Sequence, residues 1–545
     1  MILCRSSSRG SWVKTSIVVA MLVFFPLISI ALMATQGKLD VWLHLSRTVL
    51  PGYLFNSAGL MLGVGINTLI IGAGSAWAIA RYDFPGRNIL QWALLLPLAM
   101  PAYITAYSYT GLLDVSGPVQ SQLREAFNLS VGDYWFPKIR SLSGAIAVMS
   151  LVLYPYVYLL ARSNFIEQSS SLQKSCQLMG YGPFQSFFRV ALPIARPAIV
   201  AGMALALMET LADYGTVSYF GVSTFTTGIF RTWFGMDEVN SAAQLALLLL
   251  FFVAILMTLE YYSRQRARYY EAGHHQKPER ISLQGSKAIT TLLLTSLPVL
   301  LGFIIPSTQL FIWSLESYKE VINHDFFRLV INSISLAAIT AVIAVLLALL
   351  VSYARRTNNN KRIRLTHKIV LAGYAIPGTV IAIGLLSPLA NTDKLINSIS
   401  ESLFGFSTGL LLSGTVLALI LAYLVRFLSV SVQTVDSGLA KISPNMEQAA
   451  QSLGKSPRSI VWTIHAPILS TSLLTAALIV FVDVMKELPA TLILRPFNFN
   501  TLAVKSFELA SDELLTHAAP AALTIVAVGL IPVILLSKAI QQRRQ

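Results

Sequence analysis

Four acidic residues sit at the ends of long apolar runs, where ionised side chains are scarce. Glu209 and Asp213 lie in METLADYGTVSYFG (208–221), and Asp483 and Glu487 lie in DVMKELPATLILRPF (483–497). Each pair is spaced i, i+4, which predicts two carboxylates on one face of a helix. Carboxylate oxygens suit hard cations, and acids within apolar spans tend to face a bundle interior or an aqueous path. Four of them brought together by the repeat described below would favour a hard cation on a translocation path. The alternative stays open: they sit at the water interface, or pair with Lys486 beside Glu487.

The elements that must carry these acids are membrane helices. Of 545 residues, 55% are hydrophobic and only 12% charged, about half the charged share of a soluble domain. Apolar windows of spanning length fall near 13–35, 55–80, 89–112, 142–161, 194–214 and 241–262. A second set falls near 288–313, 329–354, 368–390, 409–430, 468–492 and 518–537. The expected fold is therefore an all-α polytopic membrane protein of about twelve helices, six in each of two tandem halves. Residues 15–34 are long enough to span and no clear small-residue cleavage site follows, so they read as an uncleaved first helix. With the N-terminus inside, most of the 40 Lys and Arg residues fall on inside loops, which places both termini in the cytoplasm. The net charge of +15 is explained by these loops and by lipid headgroups, not by nucleic acid. Cys4 and Cys176 are too few for a disulfide framework or a zinc site. His274 and His275, in the basic linker, have no third ligand at suitable spacing, so no metal site is assigned.

Two polar stretches recur inside this apolar chain. When SLQKSCQLMGYGPFQSFFRVALP (171–193) is laid on the stretch around 445–469, Gly180 falls on Gly454, Pro183 on Pro457 and Pro193 on Pro467, at one offset. The same offset lays Glu209 on Asp483 and Asp213 on Glu487. Both copies predict helix, Gly, short turn, Pro, helix, Pro. Ser443 can cap a helix whose first residue is Pro444, where a missing N–H costs nothing. Gly454 suits a left-handed helix end, and Ser456 can cap a helix starting at Pro457. Phe184, Phe187 and Phe188, like Ile460, Val461 and Ile464, are expected to pack on the bundle. Looser echoes follow: Asn67-Thr68-Leu69 with Asn332-Ser333-Ile334, and PLAMPAYITA (97–106) with GYAIPGTVIA (373–382). Six helices per half give both halves one orientation, a parallel duplication.

The spacing E-A-A-x-x-x-G, followed thirteen residues later by Pro, resembles the EAA loop of ABC-importer permeases. The stretches ETLADYGT, TGIFRTW, KELPATL and RPFNF are similar to those of fused iron(III) importer permeases. The resemblance implies two type I transmembrane halves at 59–262 and 328–537. Flanking them are a first helix and periplasmic loop at 1–58, a cytoplasmic linker at 263–287, a seventh helix and periplasmic loop at 288–327, and a tail at 538–545. It implies that each loop is a coupling helix for one of two copies of a cytoplasmic P-loop ATPase, with a periplasmic binding protein delivering ferric iron across a bacterial inner membrane. The loop residues are then Lys174, Ser175, Cys176, Gly180, Pro183 and Pro193, and Glu447, Gln448, Ala449, Ala450, Gly454, Pro457 and Pro467. Lys174 and Gln448 stand where that family has glutamate, and Glu447 is the neighbouring residue that could supply the second charge. No G-x-x-x-x-G-K-[ST] loop occurs, so the chain is expected to be no enzyme and to bind no cofactor, with ATP and Mg handled by the partner. Import of thiamine, a phosphonate or another small solute is the nearest alternative. An ion-driven secondary transporter with the acids as proton or sodium sites, and a non-transporting scaffold, stand further off.

Overall fold

The computed structural model describes residues 2–168, 178–265, 280–358 and 360–542. Among them, nine helices are long and apolar enough to cross a membrane, or twelve if each of three bent pairs is one span. The twelve apolar windows fall on these helices and pairs. The only strands among the described residues are a two-residue parallel pairing, Tyr82–Asp83 with Ile281–Ser282.

Two of the bends have a common local cause. Arg87–Ala99 and Ala102–Phe127 meet at 94°, and Lys361–Ala375 and Gly378–Phe404 meet at 113°. Pro101 and Pro377 stand at these breaks, in the two stretches that echo each other. Proline removes a backbone donor and steers the preceding residue out of the helical region. Met100 and Ile376 are accordingly extended, at ψ 115° and 121°. The third bend, 71° between Val461–Ile468 and Ser470–Met485, follows Pro467.

Contacts divide the chain into two compact units, and each unit draws on both sequence halves. One comprises Met1–Trp42, Ile229–Leu247 and Ile322–Lys505. Here the first helix joins helices from the second half. Trp12 packs edge-on to Tyr353 with ring centroids 5.3 Å apart. Ser16 and Thr366 share a hydrogen bond of 3.2 Å, and Gly384 admits the backbone of Pro26.

The other unit comprises Leu43–Gly228, Leu248–Val321 and Ser506–Gln545. Its helix Leu50–Arg81 turns Phe55, Leu62, Ile66 and Ile70 outward and Ser57, Thr68 and Gly72 inward. Bulky apolar residues outside and small residues at helix contacts are the arrangement expected in lipid. The helix Leu142–Glu167 is packed between Leu50–Arg81 and Leu192–Ala212. Tyr154, Val157, Tyr158 and Ala161 supply its buried face.

Candidate functional site

The second hairpin builds its turn from local bonds. The Ser443 hydroxyl accepts from the Asn445 amide at 3.3 Å, and helix Pro444–Ser452 follows. Gly454 closes it at φ +80°, with open space where a Cβ would stand. The Gly454 amide donates to the Gln451 carbonyl at 3.0 Å, and the Lys455 amide to Ala450 at 3.1 Å. That pair of bonds is the Schellman closure of a helix end. The Ser456 hydroxyl then accepts from Ser459 N at 3.2 Å, and the short helix Pro457–Ile460 begins.

The exposed and buried faces of this hairpin are distinct. Gln448 and Ala449 are exposed, while Ala450 is buried. Glu447 turns inward, with its side chain only 12% exposed, and pairs with Arg356 Nε. His465 Nε2 lies 3.1 Å from the same carboxylate oxygen. The reading that Glu447 supplies a docking charge in place of Gln448 is therefore corrected: its charge is already met from within.

In the first hairpin Lys174, Ser175 and Cys176 lie outside the described residues. The rest repeats the second copy: Gly180 at φ +74°, Gly182 extended before the helix Pro183–Ser186, and Pro193 at the start of the following span. Both copies share a feature the sequence reading did not contain. Phe187–Ala191 and Val461–His465 are wide π turns at matching positions, each two residues before its proline. Widening moves the carbonyl four residues back away from the proline ring, with which it would clash in a regular helix.

The expected aromatic face is corrected in part. Phe187 packs on Trp77 at 5.4 Å and Phe165 at 6.2 Å. Phe184 and Phe188 stack on each other at 4.5 Å and stay 76% and 48% exposed. In the second copy Ile460 and Val461 are buried, and Ile464 is half-buried.

The four acids are not laid out as two i, i+4 helical pairs. The helix Leu192–Ala212 ends before Asp213, which is extended at ψ 133°. Its carboxylate accepts from the amides of Thr216 at 3.0 Å and Val217 at 3.1 Å, and from the Thr216 hydroxyl. Glu487 repeats this beyond the helix Ser470–Met485, accepting from the Ala490 and Thr491 amides, both at 3.1 Å. Each caps a short helix, Gly215–Tyr219 or Pro489–Leu494. Amides at a helix start have no partner within the helix, so a carboxylate there breaks the span and starts the next segment. Asp483 pairs with Lys486 at 2.8 Å. Glu209 is half-buried near the end of its helix. Among the described residues no group of three or more His, Cys, Asp or Glu could hold a metal ion. The four-carboxylate cation site is thus corrected: three of these acids are committed to amides or a lysine nearby.

Capping makes a prediction separable from transport. Asp213→Leu leaves the Thr216 and Val217 amides without their acceptor and should cost about 1–2 kcal/mol. Asp213→Asn retains a side-chain oxygen and should melt within a few degrees of wild type in detergent. Equal melting of Leu and wild-type proteins would show that the cap is dispensable.

Residues 69–269 match the family described as binding-protein-dependent transport system inner membrane component. The matched segment begins within the first long apolar helix after residue 50 and includes the first hairpin and both acids of the first break. Over 531 residues the chain is 27% identical to the Fe(3+)-transport system permease protein FbpB 2 of Haemophilus influenzae, covering 96% of this chain and 97% of that protein. It is 20% identical to the ferric transport system permease protein FbpB of Actinobacillus pleuropneumoniae, covering 89% of this chain and 71% of that one. Likeness to the sulfate transport system permease protein CysT of Salmonella typhimurium is 29%, over 28% of this chain and 51% of that one.

Two basic residues were absent from the expected site. Arg426 is buried inside the apolar helix Val416–Leu439, with Nη1 3.5 Å from Glu487 Oε1. A cation inside a span was a visible signal, because such a residue usually has an acidic partner. Arg356 carried no such signal, since it stands beside Arg355 at a helix end where basic residues are common.

Proposed function

We propose that this chain is the membrane permease of a binding-protein-dependent ABC importer whose cargo is ferric iron. One observation carries the reading: likeness to a Fe(3+)-transport permease runs through 96% of this chain and 97% of that protein, whereas the sulfate permease matches only 28% of this chain. In this reading two six-helix halves share one orientation in a bacterial inner membrane, with both termini in the cytoplasm. A periplasmic binding protein delivers the cargo. Two copies of a separate P-loop ATPase use ATP and Mg and dock on the hairpins around Gly180 and Gly454, with Gln448 and Ala449 on the exposed side. The chain itself catalyses no reaction. In this reading Glu209, half-buried near the end of its helix, lines the path.

The test is uptake of radiolabelled ferric iron by cells lacking other iron importers, with and without this gene. Uptake should fall to background in its absence and return with the wild-type gene. Gly454→Val should not restore it, although the protein inserts. A β-branched residue at φ +80° costs about 1–3 kcal/mol and distorts the hairpin. Equal ferric uptake with and without the gene discards iron, and normal uptake by the Val variant discards the docking role.

A further inference from the structure

The second hairpin is fastened to the spans behind it by a charged cluster. Arg356 stands at the end of the helix His324–Thr357 and reaches three acceptors at once. Its Nε donates to Glu447, one Nη to the carbonyl of Leu439, and the other to the carbonyl of Ile442 at 2.6 Å. Leu439 ends the helix Val416–Leu439, and Ile442 lies in the turn before Pro444–Ser452. A planar guanidinium with five donors can join a carboxylate and two carbonyls in one geometry; an ammonium cannot do so as rigidly. His465, in the π turn, closes the other side of Glu447 at 3.1 Å. Its ring lies 5.5 Å from Tyr353, which in turn packs on Trp12 at 5.3 Å. The outer helix of the hairpin, the π turn before the next span and the end of His324–Thr357 therefore meet on one carboxylate and one guanidinium, and Tyr353 links this cluster to the first helix.

The first copy has Tyr82, Gln173 and Ala191 at the sequence positions of Arg356, Glu447 and His465. No corresponding charged set is encoded there. Tyr82 instead pairs with Ile281 in the short parallel strand.

We propose that Arg356 and Glu447 are positioning residues that couple the second hairpin to the helix His324–Thr357, so that a push on this hairpin moves that span directly. The first hairpin encodes no such charged pair at the matching positions. The inference rests on the docking role proposed above, and goes beyond it by naming the intramolecular link that carries the motion.

Hydrogen–deuterium exchange on the complex of this chain with its ATPase tests the link without reference to the cargo. In wild type, trapping the ATPase with ATP and vanadate should slow exchange about threefold or more in 444–460 and also in 350–357. Arg356→Gln and Glu447→Gln should each keep the response of 444–460 and lose that of 350–357. The double variant should be no worse than either single one, as expected for residues acting as a unit. If either variant fails to assemble, the other decides, and the Glu447→Gln side chain keeps its size and one acceptor. Retention of both responses in both variants overturns the link, even if yield falls. A wild-type complex in which 350–357 never responds also overturns it. A wild-type hairpin that does not respond removes the docking role and the link with it.

Discussion

Arg426→Leu is expected to remove about 3–5 kcal/mol of stability and leave little folded protein in the membrane. Arg426 and Glu487 are 7% and 5% exposed. Glu487 accepts from Ala490 N, Thr491 N and the Thr491 hydroxyl, the last at 2.8 Å. Removing the guanidinium leaves that carboxylate buried without its cation, which costs far more than the pair adds to a folded state. Gly378 shows how closely the pair is enclosed, since a Cβ there would stand 2.6 Å from Glu487 Oε1 and 3.0 Å from Arg426 Nη1. Arg426→Leu combined with Glu487→Gln should recover most of the loss, because the amide oxygen still caps Pro489–Leu494 and no charge is stranded. Melting in detergent and the yield of monodisperse protein read both effects. A single Leu variant as stable as wild type would show that water reaches the carboxylate.

Gly202→Val should be comparably damaging, for a steric reason. A Cβ at 202 would lie 2.7 Å from the Cα of Val157 and 2.8 Å from the carbonyl oxygen of Tyr156. These are backbone atoms, so no rotamer change relieves the overlap, and Leu192–Ala212 must move off Leu142–Glu167. The expected loss is at or above the about 1–3 kcal/mol of ordinary overpacking. Gly74→Ala is the matched control. It lies mid-helix with nothing within 4 Å of its would-be Cβ, and should raise stability by about 0.5–1 kcal/mol. Equal melting of Gly202→Val and wild type would mean that these helices are not in close contact.

The sequence made the spans legible because a stretch of about 20 apolar residues has few other uses. The hairpin turn was legible too, since Gly454 and Ser456 act through bonds to their own neighbours. What stayed hidden depends on exceptions to helical regularity. A strict period of 3.6 put Asp213 beside Glu209, but the carboxylate captured the Thr216 and Val217 amides and ended the helix first. The same period put Phe184, Phe187 and Phe188 on one face expected to pack, yet only Phe187 meets Trp77 and Phe165. The partners of the first helix were beyond reach for another reason. Nothing in its apolar residues distinguishes Tyr353 and Thr366 from nearer neighbours.

That last pairing bears on how the chain is made. The first helix leaves the ribosome well before the partners of Trp12, Ser16 and Pro26, the first of which lies in the helix His324–Thr357. At 5–20 residues per second the wait is roughly 15–60 s. During this interval Trp12, Ser16 and Pro26 have lipid or transient neighbours in place of Tyr353, Thr366 and Gly384. A chain cut in the basic linker would yield two fragments, each lacking part of its own compact unit. The amino-terminal fragment would carry a helix with no lasting seat, and the carboxy-terminal fragment a vacancy of the same shape. Assembly of this protein is thus an event of the finished chain, although its two halves look in sequence like separate beads on a string.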